Sequence, residues 1–336
     1  MTAVDIVVDE RGLDALPDAL ARLGSRRLLL LTGPSGRYLE LVQLRLTGAA
    51  VDVFAGARRH VPLSALAEAR ARLDAFGGDT VLALGGGSPI GFGKALRRDR
   101  EVRFIAVPTT YAGSEMTTLW GTTADGRKTT GRDSRVRPDV VIYDVELTLD
   151  MSPVLTVTSL MNALAHPISV LGAGSLSGQA ISVALDAAAS VYQALEALAR
   201  DRGDRAARAR AQRAAGRAAQ VLDAGKPGLH HALAHLLGGR FDLDHGGLHS
   251  VLLPHTLRRL RADAPPVYAA IAARLGASEP EVRMLELLRR AGAAPSLRAL
   301  GVSEEALRAT LQGDASLPAA LLLDAFEGSL GPPARP

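Results

Sequence analysis

The sequence predicts an α/β N-terminal domain with a parallel sheet, followed by an all-α C-terminal domain. Up to about Asp144, short apolar and β-branched runs alternate with helix-like stretches, as expected of a parallel sheet wrapped by helices. Beyond Asp150, long segments rich in alanine and leucine prefer helix. The 336 residues suffice for two domains, and we expect these at residues 1–150 and 151–336, with the joint at Asp150–Pro153.

The spacing of apolar residues places the individual elements. The N-terminal strands are expected at Arg27–Thr32, Val51–Phe54, Thr80–Leu84, Phe104–Val107 and Val140–Tyr143. A helix is expected among them at Leu63–Phe76. The C-terminal helices are expected at Gln179–Ala199, Arg205–Ala224, Leu248–Asp263, Pro265–Leu275, Glu279–Ala291, Glu304–Gln312 and Pro318–Gly328.

Composition excludes several classes of protein. A hydrophobic fraction of 47% with 22% charged residues rules out intrinsic disorder. With no cysteine, disulfides and thiolate metal sites are excluded, which leaves histidine and carboxylate as metal ligands. The start MTAVDIVVDERG lacks the pattern of a signal peptide, and no apolar run approaches the about 18 residues that span a bilayer. We therefore expect a cytoplasmic protein with no membrane partner.

The charge balance does not indicate nucleic-acid binding. The 39 Lys and Arg residues exceed the 35 Asp and Glu residues by only four. The densest basic run, Arg200 to Arg217, contains alanines and two aspartates but no aromatic residue. Such a run is typical of the solvated face of a helix.

A glycine-rich loop follows the third predicted strand. Gly85, Gly86, Gly87 and Ser88 stand between that strand and a helix start. Backbone N–H groups can surround an anion there without obstruction by side chains, which suits a pyrophosphate. The spacing matches neither GxGxxG nor GxxxxGK[ST], so the alternative of a simple turn stays open. The nucleotide interpretation makes the N-terminal domain a nucleotide-binding domain.

A second polar loop follows the next strand. It contains Thr109, Thr110 and Ser114. In open α/β sheets ligands lie beyond the carboxyl ends of the strands, where this loop and the glycine loop would meet. The alternative is a turn rich in hydroxyl groups that bonds its own backbone.

Six of the eight histidines lie within residues 230–255. His231 and His235 are spaced i and i+4 and share one helix face, and His245 follows after a short loop. Asn162 and His166 have the same spacing earlier in the chain, so two helices could bring nitrogen and oxygen ligands together. The remaining three of this group are His230, His249 and His255. This concentration favours a functional site over a purely structural one.

The motifs of this chain, taken together, resemble those of a known family. Five runs occur in the order and spacing of the iron-containing alcohol dehydrogenase superfamily, which has a dehydroquinate synthase-like fold. They are GGGSPIGFGKAL, VPTTYAGSEMTTLWGTTADGRK, RPDVVIYDVELT, SLMNALAH and GLHHALAHLLGGRFDLDHGGLHSVLLPH. Within the superfamily the chain is most similar to maleylacetate reductases, over roughly residues 25–260. The resemblance implies an active site between the two domains.

The resemblance assigns roles to individual residues. It implies that Gly85–Ser88 bind the pyrophosphate of NADPH or NADH, and that Thr109, Thr110 and Ser114 contact the nicotinamide side. The ligands of metal-using relatives fall at Asn162, His166, His231 and His245. His235 matches a histidine beside the substrate, and His231, His235, His245 and His166 are the implied catalytic residues.

Several residues depart from the family pattern. Asn162 replaces an aspartate, and a neutral oxygen leaves a divalent ion less well compensated, so we expect no catalytic metal. Pro167, Ser169 and Gly172 replace alanine, glutamate and tyrosine. A proline costs about 3 kcal/mol in a helix interior unless the helix ends or kinks, which predicts that His166 is displaced. Gly246 and Gly247 replace an Ala-Glu pair.

The expected function is an NAD(P)H-dependent reductase of a small anionic substrate with a conjugated C=C or a carbonyl. His235 and His245 are the candidate proton donor and oxyanion partner. The alternatives are an aldehyde or ketone reductase of a biosynthetic pathway and a non-catalytic homologue. The loop after the first strand has no carboxylate for a ribose hydroxyl, and Arg37 could accept a 2′-phosphate, so NADPH should be tolerated. The resemblance alone implies a homodimer.

Overall fold

The computed structural model describes residues 7–124 and 127–330, with side-chain burial described from Glu10 onward. The chain divides into two compact units that meet between Asp150 and Met151. One is an α/β unit and the other is helical. The α/β fold with a parallel sheet and the all-α C-terminal region are confirmed.

The α/β unit is built on a six-stranded parallel sheet with the strand order β1-β8-β5-β4-β2-β3. A separate antiparallel hairpin is formed by β6 and β7. The strands are β1 Val7–Asp9, β2 Arg27–Leu31, β3 Ala50–Phe54, β4 Thr80–Gly85, β5 Arg103–Pro108, β6 Leu119–Ala124, β7 Arg127–Arg132 and β8 Val140–Ile142. The helices are α1 Leu16–Leu23, α2 Leu39–Gln43, α3 Leu63–Phe76, α4 Gly87–Asp99 and α5 Glu146–Leu149. Strands β2, β4 and β5 are buried almost throughout, which explains their continuous apolar sequences.

The helix start expected after the glycine loop is confirmed as α4, although its sequence GSPIGFGKALRRD contains three glycines and a proline, which disfavour helix. Packing explains one of these glycines. A Cβ at Gly93 would lie 2.4 Å from the ring of Phe104 on β5. The missing side chain therefore lets α4 approach the sheet directly beside the glycine loop.

The helical unit consists of nine α-helices within the described residues. They are α6 Pro153–Gly172, α7 Gln179–Arg200, α8 Arg205–Ala224, α9 Leu229–Phe241, α10 His245–Asp263, α11 Pro265–Leu275, α12 Pro280–Arg290, α13 Glu304–Gly313 and α14 Ala319–Glu327. Helix α6 is buried along most of its length and packs against α7, α8 and α10. Its start is fixed by Pro153 in the first turn and by Ser152, whose hydroxyl accepts a hydrogen bond from Leu155 N at 3.1 Å.

The expected displacement of His166 by Pro167 is wrong. Helix α6 continues through Pro167 to Gly172, and His166 is buried in the helical core. Proline has no N–H to donate, so the helix lacks one backbone hydrogen bond at this position. Packing against neighbouring helices on several sides of α6 stabilises the helix in spite of this loss.

The expected start of α10 at Leu248 is also wrong, because the helix begins at His245. Asp244 caps it by accepting a hydrogen bond from Gly247 N at 2.8 Å. The first turn could not be predicted from helix propensity, because Gly246 and Gly247 both disfavour helix. His245 therefore lies on a helix and not on a loop.

The basic run Arg200 to Arg217 is only partly a solvated helix face. Arg205, Arg210 and Arg217 are exposed, as expected, but Arg208 is completely buried. Its Nε donates to the carbonyl oxygen of Arg202 at 2.8 Å. A buried guanidinium is tolerated only when its N–H groups find acceptors.

We predict that Arg208→Met lowers the free energy of unfolding by about 2 kcal/mol, because a buried hydrogen bond to a charged group is lost. The matched control is Arg210→Met, whose guanidinium lies 3.7 Å from Asp204 on the exposed side of the same helix. It should change the free energy by less than about 0.5 kcal/mol. Urea unfolding of both variants measures the difference, and equal values would contradict the prediction.

Two of the described helices, α6 and α7, are long and apolar enough to cross a bilayer by length and composition. The expectation that no apolar run approaches that length is therefore wrong for these two. In α6, 89% of the apolar stretch is buried within the structure, and in α7 the share is 50%. The burial of α6 is that of a core helix, because its apolar residues are covered by neighbouring helices.

Candidate active site

The glycine loop between β4 and α4 forms an open backbone surface. Gly85 has φ +142°, a conformation that side chains rarely allow, and Gly87 begins α4. A Cβ at Gly86 would lie 3.1 Å from the side chain of Thr110, whereas a Cβ at Gly87 would meet nothing within 4 Å. The N-cap residue of α4 is Gly86, which has no side chain to cap the first turn of the helix. The N–H groups of this turn can therefore bind an anion, and the free space beside Gly87 fits a dinucleotide phosphate.

The loop after β5 lies beside the glycine loop. The N–H of Thr109 donates to the carbonyl oxygen of Gly85 at 3.1 Å, and β4 pairs with β5 in parallel. Ser114 begins a short 3-10 helix after Gly113, which has φ +74°. The structure thus brings the glycine loop together with Thr109 and Thr110 at the carboxyl edge of the sheet, with Ser114 further along the second loop. Their cofactor contacts stay a prediction.

Buried polar residues that the sequence analysis did not select hold this second loop. Lys94 on α4 donates from Nζ to Thr117 Oγ1 and to the carbonyl oxygen of Leu119, both at 2.8 Å. Tyr143 donates to Glu115 Oε1 at 3.1 Å. Burial raises the pKa of Glu115 and raises that of Tyr143 well above its usual value. The position of Glu115 and Thr117 within the TTYAGSEMT run was the one available signal.

Six histidines of the helical unit form one cluster. They are His166 on α6, His230, His231 and His235 on α9, and His245 and His249 on α10. Neighbouring rings within the cluster have centroids 4.3 to 6.4 Å apart. All four histidines implied as catalytic are therefore brought together. The sequence did not show that His230 and His249 complete the cluster, because their meeting depends on how α9 packs on α10.

Most rings of this cluster are buried and neutral. Burial lowers the pKa of His166 to about 4 and that of His230 to about 3. It also lowers the pKa of His231 and His249 well below the usual value, with further lowering by neighbouring histidines. His235 and His245, in contrast, are exposed. An exposed ring can reach a ligand and exchange protons with it, whereas the buried rings are held neutral at pH 7.

One departure from the family pattern contributes to the architecture of the cluster. Ser169 accepts a hydrogen bond at its Oγ from the N–H of Gly228, at 3.0 Å. Gly228 is the N-cap residue of α9, so Ser169 ties α6 to the start of the helix that carries His231 and His235. The serine therefore stabilises the site.

The donor set at the relatives' metal positions is electrically neutral. Asn162 Oδ1, His166 Nδ1 and His231 Nδ1 are buried and accept or donate no hydrogen bond among the described residues. Residues 7–124 and 127–330 contain no group of three or more His, Asp or Glu side chains arranged to hold a metal ion. An amide oxygen in place of a carboxylate compensates less of the charge of a divalent ion, so this donor set would hold such an ion less tightly than the carboxylate-containing set that the resemblance implies for metal-using relatives.

His255 lies on α10 outside the cluster and predicts a pH dependence of stability. Burial, and then the charge of Arg258, lowers its pKa from 6.5 to about 4. Between these values the unfolded state binds one more proton than the folded state, so this contribution to stability is present above pH 6.5 and lost as the pH falls towards 4. We predict that His255→Gln reduces the slope of unfolding free energy against pH by about 1.4 kcal/mol per pH unit. Denaturant unfolding at pH 4.5 to 6.5 measures it, and an unchanged slope would contradict it.

The parallel sheet with its glycine loop and the helical unit with its histidine cluster define a class of nucleotide-dependent enzyme. Comparison with known proteins identifies the family. The family model described as iron-containing alcohol dehydrogenase matches residues 3–145, and that of the C-terminal region of the Fe-containing alcohol dehydrogenase family matches residues 156–322.

Individual relatives extend the comparison. The chain is 39% identical to a maleylacetate reductase of Burkholderia cepacia, over 90% of this chain and 86% of the relative. It is 41% identical to maleylacetate reductase 2 of Cupriavidus pinatubonensis, over 82% of this chain and 77% of the relative. The crystal structure of maleylacetate reductase from Agrobacterium tumefaciens superposes with a TM-score of 0.88 at 34% identity, over 98% of both chains.

The chain belongs to the iron-containing alcohol dehydrogenase family. It is an oxidoreductase, and its relatives support a reductase function. The family is NAD(P)H-dependent, which agrees with the open phosphate cradle at Gly85–Ser88.

Proposed function

We propose that the protein is an NAD(P)H-dependent reductase whose substrate is maleylacetate or a close analogue, a small anion with a C=C conjugated to a carbonyl. The observation that carries this proposal is the buried histidine cluster of α6, α9 and α10. It belongs to a chain that is 36–41% identical to several maleylacetate reductases. The bound dinucleotide supplies the hydride.

The residues of the chain have separate tasks in this proposal. The first turn of α4 binds the pyrophosphate, and the loop that contains Thr109 and Thr110 orients the nicotinamide. Hydride addition to a conjugated C=C generates an enolate, which needs a hydrogen-bond donor at its oxygen and a proton at carbon. His235 and His245 supply the proton and the oxyanion contact. His231 and His166, which are neutral and buried, contact the substrate without carrying charge.

An aldehyde or ketone reductase is the second candidate function. It is favoured by Gly246 and Gly247, which stand where the reductases have an Ala-Glu pair. A Cβ at Gly247 would lie 3.2 Å from Leu300 and 3.3 Å from Asp244, so a side chain there would require the neighbours to move. The chain therefore has no carboxylate at position 247, where the resemblance implies a glutamate in the reductases.

The test is NADH and NADPH oxidation against maleylacetate-type substrates and a panel of aldehydes and ketones. We expect the conjugated keto-diacids to react at least tenfold faster in kcat/KM. A preference for neutral aldehydes would support the second candidate. Binding of the cofactor without its oxidation by any substrate would support a non-catalytic homologue.

We propose that NADPH is accepted as well as NADH. The loop after β2 contains no carboxylate that could bind a ribose hydroxyl group. Its basic residue, Arg37, already has a partner in the structure. Its guanidinium donates to the carbonyl oxygen of Asp150 at 3.0 Å and lies 3.4 Å from the Asp150 carboxylate. Half of the Arg37 side chain is exposed, so it can exchange this partner for a 2′-phosphate. Fluorescence titration tests this, and NADH binding at least tenfold tighter would contradict it.

We propose that turnover needs no resident metal, because Asn162 contributes no charge at the relatives' metal positions. We predict that purified protein treated with a chelator keeps its kcat within about twofold, since no Lewis acid supports the hydride step. Metal analysis before and after treatment accompanies the assay. Stoichiometric zinc or iron whose removal abolishes turnover would contradict this prediction.

We propose a homodimer in the cytoplasm, in line with the family. Light scattering at micromolar concentration tests the assembly, and a mass near that of the 35.1 kDa chain would contradict it. Cell fractionation tests the location.

A further inference from the structure

Three polar side chains in the core of the helical unit form a hydrogen-bonded chain that the proposed function does not use. Thr256 Oγ1 lies 3.0 Å from His230 Nδ1, and His230 Nε2 lies 2.8 Å from His249 Nδ1. All three residues are buried, and Thr256 also lies 3.1 Å from the carbonyl oxygens of Leu252 and Leu253.

The direction of hydrogen bonding in this chain follows from counting protons. Both rings are buried and, among the described residues, neither is hydrogen-bonded to a carboxylate, so the neutral form of each ring is favoured. The 2.8 Å contact between the two rings therefore holds one proton. If Thr256 donates its hydroxyl proton to a backbone carbonyl, it accepts from His230 Nδ1–H. His230 Nε2 then accepts from His249 Nδ1–H, and His249 Nε2 remains unprotonated.

The opposite direction makes one hydrogen bond fewer. Thr256 would then donate to His230 Nδ1 and could no longer donate to Leu252 or Leu253. A buried hydrogen bond is favourable, so the first direction is the more stable one. Thr256 therefore determines which nitrogen of each ring carries the proton.

The end of this hydrogen-bonded series that is remote from Thr256 is His249 Nε2, and it faces a nitrogen of His231. His249 Nε2 and His231 Nδ1 are both buried and have no hydrogen-bond partner among the described residues. Their rings have centroids 5.0 Å apart, close to the 4.9 Å between the hydrogen-bonded rings of His230 and His249. An unprotonated nitrogen and an N–H would satisfy each other here once the His231 ring turns about its Cβ–Cγ bond, while His249 keeps its contact with His230.

We propose that Thr256, His230 and His249 are positioning residues that fix the tautomer of His231. His231 Nδ1–H donates to His249 Nε2, every N–H in the chain points towards Thr256, and His231 Nε2 is left as a lone pair. Resting on the proposed function, this assigns His231 as a hydrogen-bond acceptor for substrate. The proton and the oxyanion contact must then come from His235 and His245.

The experiment compares three threonine variants of the full-length protein. Thr256→Val removes the hydroxyl group with little change of shape, so His230 Nδ1–H loses its acceptor and the proton order reverses along the chain. Thr256→Ser keeps a hydroxyl. Thr310→Val is the matched control, because Thr310 is also buried and also donates to a carbonyl one helical turn earlier, that of Ala306 at 2.8 Å, on α13.

The first readout is the protonation of each imidazole nitrogen, measured by NMR on protein with 15N-labelled histidine. In the wild type, in Thr256→Ser and in Thr310→Val we expect unprotonated Nε2 atoms at His230, His231 and His249. In Thr256→Val we expect these atoms to be protonated. The second readout is kcat, which should fall about tenfold in Thr256→Val alone, with little change in cofactor affinity.

Two results would overturn the proposal: a protonated His231 Nε2 in the wild type, or the same tautomers in Thr256→Val as in Thr310→Val. The wild-type spectrum decides the question even if Thr256→Val does not fold. Because the spectra require no substrate, an inactive wild type with the expected tautomers would contradict the proposed function and leave this proposal standing.

Discussion

Replacing His235 with glutamine is expected to lower kcat about 100- to 10,000-fold, the range that a positioned general acid contributes. His235 is, with His245, one of two exposed members of a cluster whose buried rings are neutral at pH 7. It can therefore take up a proton from water and deliver it to a bound substrate. Glutamine keeps a similar size and a hydrogen-bond donor but cannot transfer a proton. Stopped-flow measurement of NADPH oxidation gives kcat, and fluorescence titration gives the cofactor Kd.

The matched control is Arg240→Gln, which changes an exposed residue near the end of the same helix. Both variants should retain the wild-type unfolding midpoint and the wild-type cofactor Kd. A kcat for His235→Gln within about fivefold of the control would show that another group supplies the proton, since less than about 1 kcal/mol of barrier would depend on His235.

A second large effect is expected from Gly87→Ala in the glycine loop. A methyl group at this position meets no protein atom within 4 Å, so the fold accommodates it. It projects into the space where a phosphate would approach the first turn of α4. We expect cofactor affinity to fall about 10- to 100-fold, or roughly 1.4 to 2.8 kcal/mol. Isothermal titration with NADPH measures the loss.

Gly239→Ala on α9 is the control for this variant, because its Cβ would also meet nothing within 4 Å. Both substitutions introduce the same methyl group into a helix at a position with free space. Thermal unfolding should leave both variants at or slightly above the wild type, since alanine favours helix over glycine. Unchanged NADPH affinity in Gly87→Ala would place the pyrophosphate away from this loop.

The sheet could be predicted because its central strands are buried on both faces. Strands β2, β4 and β5 therefore read as continuous apolar runs bounded by turn residues. The hairpin of β6 and β7 could not be found in the same way. Strand β7 has the sequence RKTTGR and is almost entirely exposed, so it carries no apolar alternation. Within the described residues strand β1 spans only Val7–Asp9, which is too short to show any periodicity.

Part of the site could also be predicted from the sequence. His231 and His235 lie one helical turn apart on one helix, and sequence spacing alone reports that relation. The contact between His230 and His249 joins α9 to α10, and only packing reveals it. The charge pattern also did not reveal which arginine is buried, because the buried Arg208 lies in the same basic run as the exposed Arg205 and Arg210. The effect of Pro167 could not be predicted from local sequence, because tertiary contacts stabilise a helix that this sequence disfavours.

The central claim is that the enzyme delivers hydride to a C=C conjugated with a carbonyl. Transfer from NADPH deuterated at the reactive position, with maleylacetate as substrate, tests it most directly. The product is analysed by NMR and mass spectrometry. We expect a saturated keto-diacid that retains its carbonyl, with one deuterium on a carbon of the former double bond. Deuterium on a carbinol carbon, with the double bond intact, would contradict the account and identify a carbonyl reductase.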